Sequence, residues 1–258
     1  MSAKDMFFLS KNYVNADDTI NASSHDDDSY KGALYDKDKL TQWTSSGETT
    51  ETGYDTYIEV ILYEGSNTVN REIDTFVLQN INLADFKIQY YTGGAYAEIP
   101  DSEAIFTTNT DTSLRIKLSN SITTSKIKLL MKATITPSEE KAIGEFWALL
   151  ETYQLEFPYT SRKRSDSSLS GFQRMGNGEG VMWSVYDKWG KSYELMNVSD
   201  TQLEELESIY KEHAVFTFYE NYTRDIDLIK EVFWVEEFEG EDDPRTELNT
   251  VTLNLVEA

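Results

Sequence analysis

Cysteine is absent from the 258-residue chain, and histidine occurs only twice, at His25 and His213. The first absence excludes a disulfide framework, a thiolate zinc site and a cysteine nucleophile. The chain also lacks a glycine-rich phosphate loop, a Gly-x-Ser-x-Gly turn and a His-Glu-x-x-His helix. We therefore expect a protein that is not an enzyme.

Basic residues are also scarce, with 23 Lys and Arg against 46 Asp and Glu, for a formal net charge of −23. A surface of this sign repels phosphate backbones, so we expect no sequence-specific binding of nucleic acid. No segment reaches the ~18–20 apolar residues of a membrane span, and the first ten residues do not match a signal peptide. These features predict a protein made in the cytoplasm and without a membrane span.

Aromatic residues are plentiful, and the 16 tyrosines suit β-sheet surfaces better than helical bundles. In the first half, apolar and polar residues alternate as they do in half-buried antiparallel strands. A Gly-Gly pair within Thr92–Ala95 predicts a tight hairpin, because glycine readily adopts the positive φ angles of primed turns. The predicted strands lie at 55–63, 73–78, 84–91, 112–118 and 126–133.

The second half predicts β-structure with one helix. A capping box, Ser199 to Gln202, begins a helix expected over 199–213, with Leu203, Leu206 and Ile209 on one face. Strands are expected at 215–219, 231–238 and 246–256, an acidic turn at 239–244, an exposed loop at 162–180, and a hairpin over 182–196 that turns near 188–191. Between the halves, residues 139–150 fit either a helix or a strand.

One segment, 34–47, combines two aspartates, a threonine and a tryptophan in what is otherwise a polar stretch. Asp36, Asp38 and Thr41 offer the hard oxygen ligands that calcium prefers. In order, Ser23-Ser24, Leu34 to Asp38, Thr41-Gln-Trp43 and Ile58-Glu-Val60 resemble the first half of a discoidin-like domain, the galactose-binding-like or coagulation factor type C family. The run from Ile88 to Ile99 continues this resemblance.

The resemblance implies a discoidin-like β-sandwich, or jelly roll, over residues 1–150. It implies that Trp43 packs in the core, that residues 141–146 form a late strand, and that Ca²⁺ is held by Asp36, Asp38, Thr41 and Glu145. Lys37 stands where the family has a glycine. For sugar binding, the candidate stacking platforms are Tyr54, Tyr91 and Tyr96, and the alternative is that they are ordinary aromatics of a sheet surface.

The second half, residues 151–258, is similar in pattern to tail-tube-related and minor tail proteins of bacteriophages, through Val185 to Leu195, Ser199 to Tyr210 and Phe216 to Phe218. This resemblance implies a mainly β assembly domain of sandwich type with one packed helix. The implied function is structural: a part of a phage tail, in its tube, tip or baseplate. The expected partners are further copies in a ring and other virion proteins, and the expected location is the virion after synthesis in the bacterial cytoplasm.

The alternative is an extracellular carbohydrate-binding module or surface adhesin that binds a cell-surface glycan.

Overall fold

The computed structural model describes residues 6–9, 12–16, 18–24, 28–36, 41–47, 49–155, 161–164, 167–174, 180–188, 190–211, 216–220, 230–235, 240–243 and 248–257. His25, Asp38 and His213 therefore lie outside the described residues. The chain divides into two compact units. The sandwich unit is Ser10–Glu151, and the helix-bearing unit combines Met1–Leu9 with Thr152–Ala258.

The sandwich unit is built from short and medium strands that pair antiparallel. Two 3₁₀ helices, Asp28–Leu34 and Pro100–Ser102, connect some of them. Strands are numbered along the chain, and β1 belongs to the helix-bearing unit. The strands of the sandwich unit are β2 (Thr19–Ala22), β3 (Trp43–Thr44), β4 (Thr56–Ile61), β5 (Tyr63–Glu64), β6 (Asn67–Thr68), β7 (Arg71–Gln79), β8 (Leu83–Tyr91), β9 (Tyr96–Glu98), β10 (Ile105–Phe106), β11 (Ser113–Thr124), β12 (Lys126–Thr134), β13 (Ala142–Ile143) and β14 (Glu145–Leu149).

Two sheets enclose the core of this unit. The larger sheet has the order β10-β8-β12-β4-β2 with β9 also on β8, and the smaller sheet has the order β11-β7-β14. Alternate residues of both sheets, such as Ile58 and Leu129 of the larger and Phe76 and Phe146 of the smaller, are fully buried in one cluster. In β4, where buried residues recur at every second position, the strand buries one side and exposes the other, whereas all five residues of β14 are buried. The expected β-sandwich is confirmed.

Trp43 is fully buried in this cluster, as expected of a core residue. Its strand pairs with β13, where Ile143 is the partner of Trp43. The Thr92–Ala95 hairpin is also confirmed, since the Thr92 amide donates to the Ala95 carbonyl and Gly93 has a φ of 96°. The helix considered for 139–150 is wrong, because β13 and β14 occupy the segment. All residues from Lys141 to Leu149 are buried, whereas an amphipathic helix would bury one face and expose the other.

The described part of the helix-bearing unit contains an eight-stranded sheet with a helix packed against it, and a separate two-stranded sheet. The N-terminal strand belongs here and not to the first predicted domain, because it pairs with a late strand. The elements are β1 (Met6–Leu9), β15 (Glu151–Leu155), β16 (Ser161–Arg164), β17 (Ser167–Arg174), β18 (Gly180–Lys188), β19 (Gly190–Val198), α1 (Asp200–Lys211), β20 (Phe216–Glu220), β21 (Lys230–Trp234), β22 (Gly240–Asp243) and β23 (Leu248–Glu257).

The sheet has the order β15-β1-β20-β21-β23-β19-β16, with β22 also on β23, and β17 pairs separately with β18. Helix α1 begins as predicted, because the Ser199 amide donates to Gln202 Oε1 at 3.0 Å and the Gln202 amide donates back to Ser199 Oγ at 3.4 Å. Leu206 is fully buried against Leu253 and its neighbours in the sheet. No helix in the described part of the chain has the length and apolar character needed to cross a membrane.

Three predictions for this half are wrong. The loop expected at 162–180 contains β16 and β17, and the acidic turn expected at 239–244 contains β22. The strands of the expected 182–196 hairpin exist on either side of residue 189, but β18 pairs with β17, whereas β19 pairs with β16 and β23. Polar composition does not prevent strand formation when a neighbouring strand supplies the backbone hydrogen bonds.

Candidate functional site

The outward side of the larger sheet in the sandwich unit carries a dense group of tyrosines and charged residues. Thr56, Ile58 and Val60 of β4 are buried, so the alternating Tyr57 and Glu59 point outward. We call this surface the tyrosine face and define it by Tyr54, Tyr57, Tyr91 and Tyr96, each of which is half-buried. The same alternation on β12 adds Lys126 and Lys128.

Tyr91 and Tyr96 form one end of the tyrosine face. They are cross-strand partners on β8 and β9, and their rings meet edge to face with centroids 5.6 Å apart. The Tyr91 hydroxyl donates to the Gly93 carbonyl at 3.0 Å, which ties the ring to the hairpin. The Tyr96 hydroxyl donates to a carboxylate oxygen of Glu59, on β4. Tyr96 thus connects β9 to β4.

Glu59 and two lysines occupy the middle of the face. Burial by itself raises the pKa of the Glu59 carboxyl, but the hydrogen bonds from Tyr96 and Asn21 and the charges of the two lysines outweigh it and lower that pKa. Lys128 Nζ lies 3.8 Å from the centroid of the Tyr57 ring and 5.5 Å from that of Tyr96. Lys126 Nζ lies 5.0 Å from the centroid of the Tyr91 ring. Both ammonium groups therefore interact with the electron-rich ring faces.

The other end of the face is organised around Asp85, which is only 7% exposed. The Tyr54 hydroxyl donates to Asp85 Oδ1 at 2.6 Å, and Lys132 Nζ donates to Asp85 Oδ2 at 2.7 Å. Burial of the phenol, its hydrogen bond to Asp85, and the Asp85 and Glu98 charges raise the pKa of Tyr54 to about 12. Lys87 Nζ lies 4.7 Å from the Tyr54 ring centroid and pairs with Glu98 at 2.7 Å.

An apolar residue, Leu130, lies between the two ends of the tyrosine face. Leu130 points outward between Tyr57 and Lys87, its partners on β4 and β8, and does not belong to the internal core cluster. It is nevertheless only 8% exposed, because the long side chains around it cover it. The tyrosine face is thus a continuous surface of half-buried rings, an apolar side chain and charged groups.

The structure brings all three sequence-predicted tyrosines, Tyr54, Tyr91 and Tyr96, onto this one face. The sequence analysis did not select Tyr57, Glu59 or the lysines. The sequence does contain a pattern that could have indicated the lysines: Lys126, Lys128 and Lys132 alternate with apolar residues along one strand of an acidic chain. Assigning these lysines to the same surface as Tyr96 required the strand order, which places β12 between β4 and β8.

Three of the predicted calcium ligands, Asp36, Thr41 and Glu145, are described, and they lie outside the tyrosine face. Thr41 Oγ1 donates to Asp36 Oδ2 at 2.6 Å, and the Thr41 carbonyl oxygen lies 3.4 Å from the position a Cβ on Gly144 would occupy, beside Glu145. Glu145 is 1% exposed, and Trp147 Nε1 donates to its Oε2 at 2.8 Å. The described residues contain no group of three or more acidic, histidine or cysteine ligands, and Asp38 lies outside them. Oxygen donors are the ligand type that calcium prefers, and calcium binding at these residues stays a prediction.

No family model matches the chain. No curated protein matches it either. Among solved structures, a family 32 carbohydrate-binding module of NanJ from Clostridium perfringens, in complex with galactose, is similar at 12% identity and a TM-score of 0.43, over 56% of this chain and 99% of that one. Chitosan-binding module 1 of a chitosanase/glucanase from Paenibacillus sp. IK-5 is similar at 15% identity and a TM-score of 0.41, over 53% of this chain and 97% of that one.

A second chitosan-binding module of the same enzyme, in complex with chitotriose, is similar at 13% identity and a TM-score of 0.41, over 51% of this chain and 95% of that one. At these identities and TM-scores, the similarity carries no argument about ligands or residues.

Proposed function

We propose that the sandwich unit binds carbohydrate through the tyrosine face. The observation that carries the proposal is the collection of four half-buried tyrosine rings, Tyr54, Tyr57, Tyr91 and Tyr96, on one sheet surface together with charged hydrogen-bonding groups. This proposal replaces the phage-tail role as the leading function.

The chemistry of the face suits sugars. One side of a pyranose ring presents C–H groups, which are attracted to the negative face of an aromatic ring, and its edge presents hydroxyls that need hydrogen-bond partners. Tyrosine rings supply the first interaction, and Glu59, Lys126 and Lys128 supply charged partners for the second. Binding sites for small ligands typically combine mostly apolar surface with a few placed polar groups in this way.

The first test is titration calorimetry with galactose and chitotriose, the ligands found with the similar modules, followed by a wider glycan panel. We expect Tyr91→Ala and Tyr96→Ala each to weaken binding by about tenfold, which corresponds to ~1.4 kcal/mol and to the loss of one ring contact. Tyr13→Ala is the matched control, because its ring contacts Arg71 of β7, in the other sheet.

Circular dichroism separates loss of binding from loss of fold in each variant. Carbohydrate binding by the tyrosine face is contradicted if no glycan binds, or if a glycan binds equally well to the correctly folded Tyr91→Ala and Tyr96→Ala proteins.

We also propose that calcium supports the sandwich unit through Asp36, Asp38, Thr41 and Glu145. The hydrogen bond between Thr41 and Asp36 and the approach of Thr41 to Gly144 support this proposal. Calcium at about 100 times its dissociation constant should stabilise the folded unit by ~2.7 kcal/mol. Thermal unfolding with calcium and with a chelator, in the parent and in Asp36→Asn, measures this effect. A melting temperature that calcium leaves unchanged counts against the site.

A structural role in a phage tail is the second candidate, and it concerns the helix-bearing unit. The comparisons give it no support, and the observation that favours assembly is the exposure of Phe233 (40%) on β21 and of Val235 (36%), the residue after β21. These residues alternate with Trp234, whose ring lies 5.6 Å from that of Tyr210 on α1, so they point away from the helix.

Exposed apolar side chains of this kind occur at contact surfaces between subunits. Light scattering of the full chain tests the assembly: we expect an oligomer that Phe233→Glu dissociates. A monomer at the highest soluble concentration would leave the tail role without support.

A further inference from the structure

Lys126 and Lys128 differ from the other lysines of the tyrosine face in what they contact. Lys87 is paired with Glu98 and Lys132 with Asp85, each at 2.7 Å. Among the residues that the structure describes, no carboxylate lies within 4.0 Å of Lys126 Nζ or Lys128 Nζ, and both ammonium groups lie over tyrosine rings instead.

The acidic groups of the face are already engaged. The Glu59 carboxylate accepts hydrogen bonds from Tyr96 and, at 2.8 Å, from Asn21, while Asp85 and Glu98 are bound to lysines. Lys126 and Lys128 are thus left without a salt bridge among the described residues of this surface, although the chain as a whole carries a net charge of −23. Both ammonium groups lie over tyrosine rings, and their charges also act on Glu59 without a salt bridge among the described residues.

We propose that the tyrosine face binds acidic carbohydrate, with the carboxylate of a uronic acid held by Lys126 and Lys128 while its pyranose ring stacks on Tyr91 or Tyr96. This inference rests on the proposed carbohydrate-binding function and assigns it a substrate class. Lys126 and Lys128 lie two residues apart on one side of β12, about 7 Å along the strand, so both ammonium groups can reach one anionic group between them.

The surrounding charge favours a short acidic glycan over nucleic acid. A long polyanion would contact the acidic surface beyond the face and be repelled by it, whereas a single sugar carboxylate is small enough to stay beside Lys126 and Lys128. Each lysine needs to move only its own flexible side chain from a ring face to the anion, and a charge-assisted hydrogen bond then replaces the cation–π contact.

The test compares two tetrasaccharides that differ only at C6, tetragalacturonate and the galactose tetramer of the same linkage. We expect the parent protein to bind the acidic tetramer at least about tenfold more tightly, with the difference decreasing as salt is added. The double variant Lys126→Gln, Lys128→Gln should bind both tetramers within about threefold of each other, because the acidic tetramer loses its charge-assisted contacts while glutamine can still hydrogen-bond sugar hydroxyls.

The matched control removes the same two positive charges elsewhere, as Lys117→Gln, Lys211→Gln; Lys117 pairs with Asp74 on the smaller sheet, and Lys211 pairs with Glu207 on α1. This control should keep the acidic preference. Equal binding of both tetramers by the parent, or a preference that survives the Lys126 and Lys128 changes, overturns the inference while leaving carbohydrate binding intact.

If neither tetramer binds and no glycan of the wider panel binds, the proposed carbohydrate-binding function is overturned as well. Binding of a thymidine oligonucleotide as tight as that of tetragalacturonate also overturns the inference, because it would show unspecific attraction of anions.

Discussion

The two units of the chain bury their apolar residues in different ways. In the sandwich unit, two sheets enclose the core, and side chains such as Phe76 and Ile58 reach it from opposite sides. In the helix-bearing unit, the described core lies between one face of the sheet and the single helix α1. A two-sheet core has many contributors, whereas a sheet covered by one helix depends on the few apolar residues of that helix.

The outward surfaces of the units differ as well. The sandwich unit carries half-buried tyrosines, three of which, Tyr54, Tyr91 and Tyr96, have hydrogen-bonded hydroxyls. The helix-bearing unit exposes two large apolar side chains, Phe233 and Val235. One chain thus combines a polar aromatic surface with exposed apolar side chains, and for this reason we propose separate functions for the two units.

The largest expected effect tests the enclosed core of the sandwich unit. Trp43→Ala should lower the free energy of unfolding by about 3–5 kcal/mol, because it leaves a large cavity between β3 and the sheets. Urea unfolding followed by circular dichroism measures this. Trp43→Phe is the matched control and should cost much less, since the buried Trp43 Nε1 has no hydrogen-bond partner among the described residues. A loss below about 1 kcal/mol for Trp43→Ala would mean that the tryptophan does not support the core.

The next effect tests whether α1 closes the core of the helix-bearing unit. Leu206→Ala should cost about 2–4 kcal/mol, because Leu206 is fully buried between the helix and the sheet. Hydrogen exchange of β19 and β23 amides reports this unit separately from the sandwich unit. The control Glu204→Ala, on the exposed side of the same helix, should change stability by less than about 0.5 kcal/mol. Equal effects of the two changes would refute the packing.

A smaller effect concerns the start of the same helix. Ser199→Ala removes the side chain that accepts the Gln202 amide and should cost about 1 kcal/mol. Hydrogen exchange of the first helical turn measures it, and the exposed Thr201→Ala serves as the control. Indistinguishable exchange rates in Ser199→Ala and the parent would show that the capping box contributes nothing to α1.

The smallest effect concerns the pH dependence of the tyrosine face. Because the Tyr54 pKa is raised to about 12 in the folded state, Tyr54 contributes stability that is fully present below pH ~10, the ordinary phenol value, and is lost as the pH rises towards 12. Solvent screening limits this contribution to below about 1 kcal/mol. Unfolding midpoints between pH ~9 and ~11 should fall less in Tyr54→Phe than in Tyr63→Phe. Parallel profiles would contradict the raised pKa.

Local patterns were sufficient wherever one segment decides its own structure. The alternation in 84–91 predicts a strand, the Gly-Gly pair predicts its turn, and the Ser199 to Gln202 pattern predicts the first turn of α1. These signals arise within a few residues, from backbone sterics, side-chain capping and the two-residue period of a strand. The resemblance of segment 34–47 to a discoidin-like domain also led to the correct burial of Trp43.

Local patterns could not predict which distant strands pair with each other. Nothing in the polar segment 162–180 indicates that β16 will pair with β19, and nothing near Met6 indicates that β1 will pair with β20. Strand pairing depends on which distant segment supplies hydrogen bonds at the right register, and many registers are compatible with one local sequence.

By itself, the sequence determined the β-rich class, the capped helix, the buried tryptophan and the negative charge, because composition and local periodicity specify each of these. Only the tertiary structure decided that Tyr54, Tyr91 and Tyr96 share a surface with Tyr57, Lys126 and Lys128. That decision depends on the order β9-β8-β12-β4, which brings together side chains up to about 70 residues apart in the chain. A surface made from several strands exists only after the strands have paired.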